Sequence, residues 1–218
     1  MRNTNRRILQ NIPKHIKRIM IHKWWVFYYC YKCGIIWRGI KHDMSKFSPT
    51  EFFESVKYYN ETTSPINMSK KINGYSKAWF HHRGRNDHHY EMWQDNFDKG
   101  GEPIQMPFEC AVELICDYLG AARVYMGKDF SYQKEFEWFQ SKLDNGVAMH
   151  IQTKVFVYRV FKIMAETESR FEKGDIIRKG YYVLKSDMLR NIYYSCKNYD
   201  ERGFKLLREI YENNNEKH

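Results

Sequence analysis

The chain has 218 residues, 43% of them hydrophobic and 17% aromatic, which is enough for a packed core and excludes a disordered polar chain. Its formal net charge is +10, and the whole excess precedes the first acid, Asp43: residues 1–42 hold ten Lys or Arg and no Asp or Glu. Such a segment suits nucleic acid, an anionic membrane or a phosphorylated small molecule, or it is a basic helix facing water.

Five cysteines at irregular spacing (Cys30, Cys33, Cys110, Cys116, Cys196) argue against a disulfide framework. The Cys30–Cys33 spacing is zinc-like but has no second pair, so these read as buried thiols. The apolar run Trp24–Trp37 is interrupted by Lys32 and is short for a membrane span. No small-residue cleavage site follows it, so a cytoplasmic location is expected.

Helical periodicity dominates the chain. Asn11 and Pro13 predict a helix start, with proline in the first turn. Ile16, Ile19, Met20, Phe27 and Tyr31 then recur at helical steps, roughly on one face. His15 and His22 are seven residues apart, so they project alike but stand about 10 Å apart along the axis and are not expected to share an ion. Gly34 and Gly39 loosen the region before His42. Ser48-Pro49-Thr50-Glu51 is a strong helix start, with serine as N-cap and proline in the first position. Residues Thr62 to Lys77 read as a loop. Two histidine pairs follow, His81-His82 and His88-His89, with a turn at Gly84 between them. A helix opens at Pro107, with Asp117 among apolar neighbours, where a carboxylate needs a partner. Ser131, Met149, Ser186 and Glu201 introduce further helices. Residues 176–184 allow a small β-hairpin. The expected fold is all-α: a metal-binding helical bundle over 12–165 and a C-terminal helical extension over 166–218 of open role.

Chemistry gathers around His42-Asp43, an imidazole and a carboxylate side by side, with Lys46 three residues on. His22, the two histidine pairs and Asp117 complete a ligand-rich order along the chain. Neutral imidazoles bind a cation without adding charge, and a few carboxylates leave it electrophilic. That mixture suits one or two ions of Mn, Fe, Co, Ni or Zn. Residues alone do not separate His81 from His82 or His88 from His89. Arg83 and Arg85, beside Gly84, are candidate phosphate forks.

The stretch from Trp37 through His42-Asp43-Met44-Ser45-Lys46 to Phe47 resembles the HD-domain superfamily of metal-dependent phosphohydrolases. That resemblance implies His22, His42, Asp43 and Asp117 as metal ligands, with extra histidines in two-metal members and Lys46 toward the substrate phosphate. More closely, residues 20–155 are similar to an uncharacterised family of small bacterial and phage proteins. Its matching stretches include His22-Lys23, His42 to Phe52, Ala78 to His82, Arg85 to Glu91 and Cys116 to Ala121.

Together these give the following expectation. A metal-dependent phosphohydrolase acts on a nucleotide or related phosphomonoester or phosphodiester through a metal-bound hydroxide. The metal ligands are His22, His42, Asp43, His82, His89 and Asp117. Asp43 and Lys46 are catalytic, and Lys46, Arg83, Arg85, His81 and His88 contact substrate. The alternative is a non-enzymatic nucleic-acid-binding or host-interaction protein that uses the basic segment and its aromatics.

Overall fold

The computed structural model describes residues 2–170 and 184–215. Among these it is all helical, with ten α-helices, five short 3-10 helices and no strand. One isolated antiparallel bridge joins Gln94 and Pro103. No described helix is long and apolar enough to cross a membrane. The hairpin expected over 176–184 falls outside the described residues, apart from Leu184 at its edge.

Two compact units emerge. The first comprises 1–92 and 113–130, the second 93–112 and 131–218.

The first unit is built on α1 (Arg2–Lys32), α2 (Ile36–Lys41), α3 (Pro49–Lys57), α4 (Pro65–Asn73), α5 (Lys77–Arg83) and most of α6 (Phe108–Met126). Helix α1 starts well before the expected Asn11–Pro13, and Pro13 lies inside it. Proline there removes the hydrogen bond to the Leu9 carbonyl. Leu9 is exposed, so water can take that acceptor. The buried stripe of α1 is Asn11, His15, Ile19, His22, Val26 and Tyr29, at steps of three and four. The face expected from hydrophobicity was different: Ile16, Met20 and Tyr31 are exposed. Two histidines and an asparagine turn inward in their place: Asn11 donates to the Val56 carbonyl at 3.1 Å, and His22 faces Asp43 and Asp117.

Two glycines let helices approach closely. A Cβ on Gly39 would stand 2.7 Å from Cys30 Cβ, so α2 can lie against α1. A Cβ on Gly120 would stand 2.5 Å from Val26 Cγ2, so α6 reaches the α1 backbone beside His22. The segment expected as a loop over 62–77 contains α4. Ser64 and Pro65 repeat the pattern of Ser48 and Pro49, proline at the first helical position after an extended serine. Polar residues on the outer face hid this helix.

The second unit contains α7 (Tyr132–Asp144), α8 (Ile151–Ser169), α9 (Ser186–Ser195) and α10 (Glu201–Asn215). Its core is aromatic. Phe136 meets Tyr158 and Phe139 meets Phe161, with ring centroids 5.1 and 5.6 Å apart. Tyr193 and Phe204 close on Phe156 and Tyr158 from α9 and α10. Buried Glu168 accepts the Tyr132 N–H at 2.9 Å and so caps the start of α7. His150 caps α8, its Nδ1 accepting from the Gln152 N–H at 3.3 Å.

Candidate metal centre

The centre lies within the first unit. Helix α2 ends at His42, and the chain turns at Asp43 into the 3-10 helix Met44–Phe47. Asp43 has φ +54°, the one positive φ on a non-glycine among the described residues. Left-handed backbone is uncommon for residues with a Cβ, though aspartate tolerates it better than most. Here it allows adjacent side chains, His42 and Asp43, to enter the same interior. His22 comes from α1, Asp117 and Glu113 from α6, His82 from α5, and His88 and His89 from the turn after it.

The donor atoms converge. His22 Nε2 stands 3.2 Å from His42 Nε2, 3.4 Å from Asp43 Oδ2 and 3.0 Å from Asp117 Oδ1. His42 Nε2 is 3.2 Å from Asp43 Oδ2 and 3.4 Å from Asp117 Oδ1. On the other oxygen of the same carboxylate, His82 Nε2 and His88 Nε2 lie 3.3 and 3.5 Å from Asp43 Oδ1. Two ligand-competent groups result: His22, His42, Asp43 and Asp117, and Asp43, His82, His88 and His89. Within each group the donor atoms lie within 4.8 Å of one another. Donors bound to one ion at about 2.0–2.2 Å stand roughly 3–3.5 Å apart, the spacing seen in the first group.

Hydrogen bonding decides which nitrogen points inward. Glu113 Oε1 receives His42 Nδ1 at 2.8 Å and His88 Nδ1 at 3.1 Å. Glu51 Oε2 receives His82 Nδ1 at 2.8 Å. An ionised carboxylate only accepts, so each of these Nδ1 atoms carries the proton. In the neutral ring Nε2 then presents a lone pair toward the carboxylate of Asp43. A further cluster of His42, His88 and Glu113 could itself hold an ion. Its Nδ1–oxygen distances are those of hydrogen bonds, and it reads better as the outer support of the two groups.

Several atoms lack partners. His88 Nε2, His89 Nε2 and both oxygens of Asp43 are buried with no hydrogen bond of acceptable geometry, although the Lys46 ammonium lies 2.5 Å from Asp43 Oδ2. Four carboxylates (Asp43, Asp117, Glu51, Glu113) line this interior. Burial opposes ionising Asp43, but His42, Lys46 and His82 hold its carboxyl well below the usual range. Burial likewise opposes protonating His42, yet Asp43, Asp117 and Glu113 hold it well above. Glu113, despite its burial, is brought to about 2 by its bonds from His42 and His88. Burial, then the neighbouring His88 and His82, push His89 well below its usual value, favouring a neutral ring. This interior calls for positive charge, and divalent cations fit its donor set.

The structure therefore gathers His22, His42, Asp43, His82, His88, His89 and Asp117. His88, expected as a substrate contact, stands among the ligand-competent residues. His81 does not: its Nδ1 bonds Glu51 Oε1 at 2.6 Å, sharing that carboxylate with His82. Adjacent residues on a helix point about 100° apart, which separates the two. Arg83 packs its guanidinium over Phe80, 5.2 Å from the ring centroid. Arg85 lines a groove of about 270 Å³ with Trp37, Lys41, Asn86 and Glu113, on the Nδ1 side of His42 and His88. A second cavity, of about 100 Å³, is lined by His22 and Lys46, whose Nε2 and Nζ face Asp43.

Sequence reasoning missed three supporting residues. Glu51 read as part of a helix start, and its N–H does bond Ser48 Oγ at 3.4 Å, but its carboxylate serves the histidines. Glu113 is four residues before Asp117, hence on the same face of α6, a signal that was available. Asn86 ties the histidine turn down, donating to Ser45 Oγ at 2.8 Å and to the His82 carbonyl at 2.7 Å.

No curated protein and no solved structure matches the chain. Residues 11–163 match the model of a family of unknown function, DUF5662, and the chain belongs to that family.

Proposed function

We propose that this interior would hold divalent metal, with Asp43 offering an oxygen to each of the two donor groups, and that the protein hydrolyses a phosphate ester. One observation carries this reading. The two oxygens of a single buried carboxylate each face a separate set of imidazole nitrogens, and outer carboxylates fix three of those imidazoles with lone pairs inward. The likeness of the His42 to Phe47 stretch to HD-domain phosphohydrolases supports the same chemistry, as an analogy. Imidazole and carboxylate donors together suit Mn, Fe, Co, Ni or Zn.

Bound ions of this kind supply Lewis acidity and lower the pKa of water. The chain's own residues do the rest. His22, His42, His82, His88 and His89 would hold the metal without adding negative charge. Glu113 and Glu51 keep three rings in the binding tautomer and orientation. Lys46 stays an ammonium: burial opposes its charge, but Asp43 and Asp117 raise its pKa. Its charge neutralises a phosphate oxygen beside Asp43. In the net reaction water oxygen bonds to phosphorus and the ester P–O bond breaks. One water proton ends on the leaving alcohol and the phosphate keeps the other oxygen–hydrogen.

The test is elemental analysis of purified protein followed by a panel of phosphomonoesters and phosphodiesters with several divalent ions. About two ions per chain and hydrolysis abolished by chelation support the reading. Protein without bound metal, or hydrolysis unaffected by Asp43→Ala, refutes it.

A second reading has one observation in its favour. Trp24 and Trp37 are 61% and 72% exposed within the basic segment, as in a stacking surface for single-stranded nucleic acid. Binding to an oligonucleotide that weakens steeply with salt and survives chelation separates this from the hydrolase.

A further inference from the structure

Burial with no partner is rare for a histidine, and α1 carries one outside the metal groups. His15 is 6% exposed, and neither ring nitrogen has a hydrogen-bond partner among the described residues. Its ring packs on Phe52 and Tyr59, at centroid distances of 5.6 and 5.9 Å. An unpaired buried polar group is destabilising, so a protein keeps one where something else satisfies it.

His15 lines the cavity of about 100 Å³ that also contains His22 and Lys46. His15 and His22 share the buried stripe of α1, two turns and about 10 Å apart along the axis. Ile19, between them, lines the wall with Pro65, Ile66 and Val124. Arg18 also borders the cavity, but its guanidinium is committed elsewhere. It donates to the Asn60 carbonyl at 2.7 Å and the Glu61 carbonyl at 2.9 Å, and it lies 4.4 Å from the Tyr59 ring centroid. The Glu51 carboxylate borders the cavity too and is likewise committed, to His81 and His82, which leaves Lys46 as the cation at the metal-group end and His15 as a neutral donor and acceptor at the far end.

We infer that this cavity is the substrate's pocket and that it takes a small phosphate monoester. Its phosphate lies at Lys46 and the metal groups, its short organic part lies along Ile19 and Val124, and a hydroxyl or similar group bonds His15. This rests on the two-ion reading above and names the substrate class of that site. Size separates it from a nucleotide: pockets that enclose drug-sized ligands run roughly 300–1,000 Å³. A nucleoside would not be enclosed by a cavity of this size. Burial first, then the Lys46 and Arg18 charges, holds His15 at about 4, so its ring is neutral and can both donate and accept.

The test uses the full-length Mn²⁺-loaded protein and uncleavable phosphonate analogues of glycerol 3-phosphate and 5′-AMP, with methylphosphonate as reference. Isothermal titration should show the glycerol 3-phosphate analogue binding at least ten-fold tighter than the other two. His15→Ala should cut its advantage over methylphosphonate to under two-fold, and so should Val124→Phe, which fills the pocket without touching a polar group. Equal or tighter binding of the 5′-AMP analogue overturns the inference even if both variants misfold, and so does an advantage that survives both substitutions. Failure of the wild type to take up Mn²⁺ strikes the two-ion reading itself. Normal uptake without the preference strikes only the pocket.

Discussion

The interiors of the two units answer different demands. In the second, most of the described buried side chains are aromatic or aliphatic; Glu135 and Glu168 are its buried carboxylates, and Glu168 is spent on capping a helix. In the first, five histidines, two aspartates and two glutamates come together with donor atoms facing each other. The aromatic core gains stability by excluding water. The polar cluster gains nothing by folding alone, because like-facing lone pairs repel and buried carboxylates lose hydration. A sequence tolerates such a cluster where something else offsets its cost, and that is why the proposed function is placed in the first unit.

Substitutions should split along the same line, and the largest effect is expected at the bridge. Asp43→Ala removes the donor common to both groups. We expect metal content to fall from about two ions to near zero and hydrolysis by at least three orders of magnitude, with helicity retained by circular dichroism. Phe139→Ala in the other core should do the reverse. It should cost about 3–5 kcal/mol in denaturant unfolding while the folded fraction keeps its metal.

Next come the outer carboxylates. Glu113→Gln loosens one imidazole in each group, so metal affinity should fall about 10–100-fold for both ions. Glu51→Gln loosens His82 and should weaken only the second. Competition with a chelator resolves two steps and shows whether one or both move. Equal weakening by the two variants would contradict the outer-shell assignment.

The smallest effect is one of pH. His15 titrates at about 4 when folded, below the ordinary histidine value of about 6.5. Its neutral state is the buried one, so the stability linked to it is full above about 6.5 and is lost as pH falls toward 4. Wild type should lose roughly 2 kcal/mol more than His15→Phe between pH 7 and 5 in parallel denaturant titrations. Identical pH profiles would remove His15 from this role.

The sequence made the centre's inner residues readable because their types are seldom buried without purpose. Asp117 stood out among apolar neighbours, and His42-Asp43 stood beside a well-marked helix start. What supports them was hidden by ordinary explanations. Glu51 fits a helix start and Glu113 fits any amphipathic helix, so neither needed a metal to account for it. Helix faces were misjudged for the related reason that hydrophobic periodicity assumes an apolar interior. On α1 that assumption selected Ile16 and Met20, whereas His15 and His22 hold the buried stripe. The choice between His81 and His82 depended on the rotation of α5, and α4 was lost to its polar outer face.

Anomalous diffraction from crystals grown with Mn²⁺ or Zn²⁺ would locate any ions held beside Asp43. Two peaks are expected about 3.5–4 Å apart, one on each side of the Asp43 carboxylate, with His22, His42 and Asp117 around one and His82, His88 and His89 around the other. A map with no peak at Asp43, or with ions bound only at surface carboxylates, contradicts that expectation.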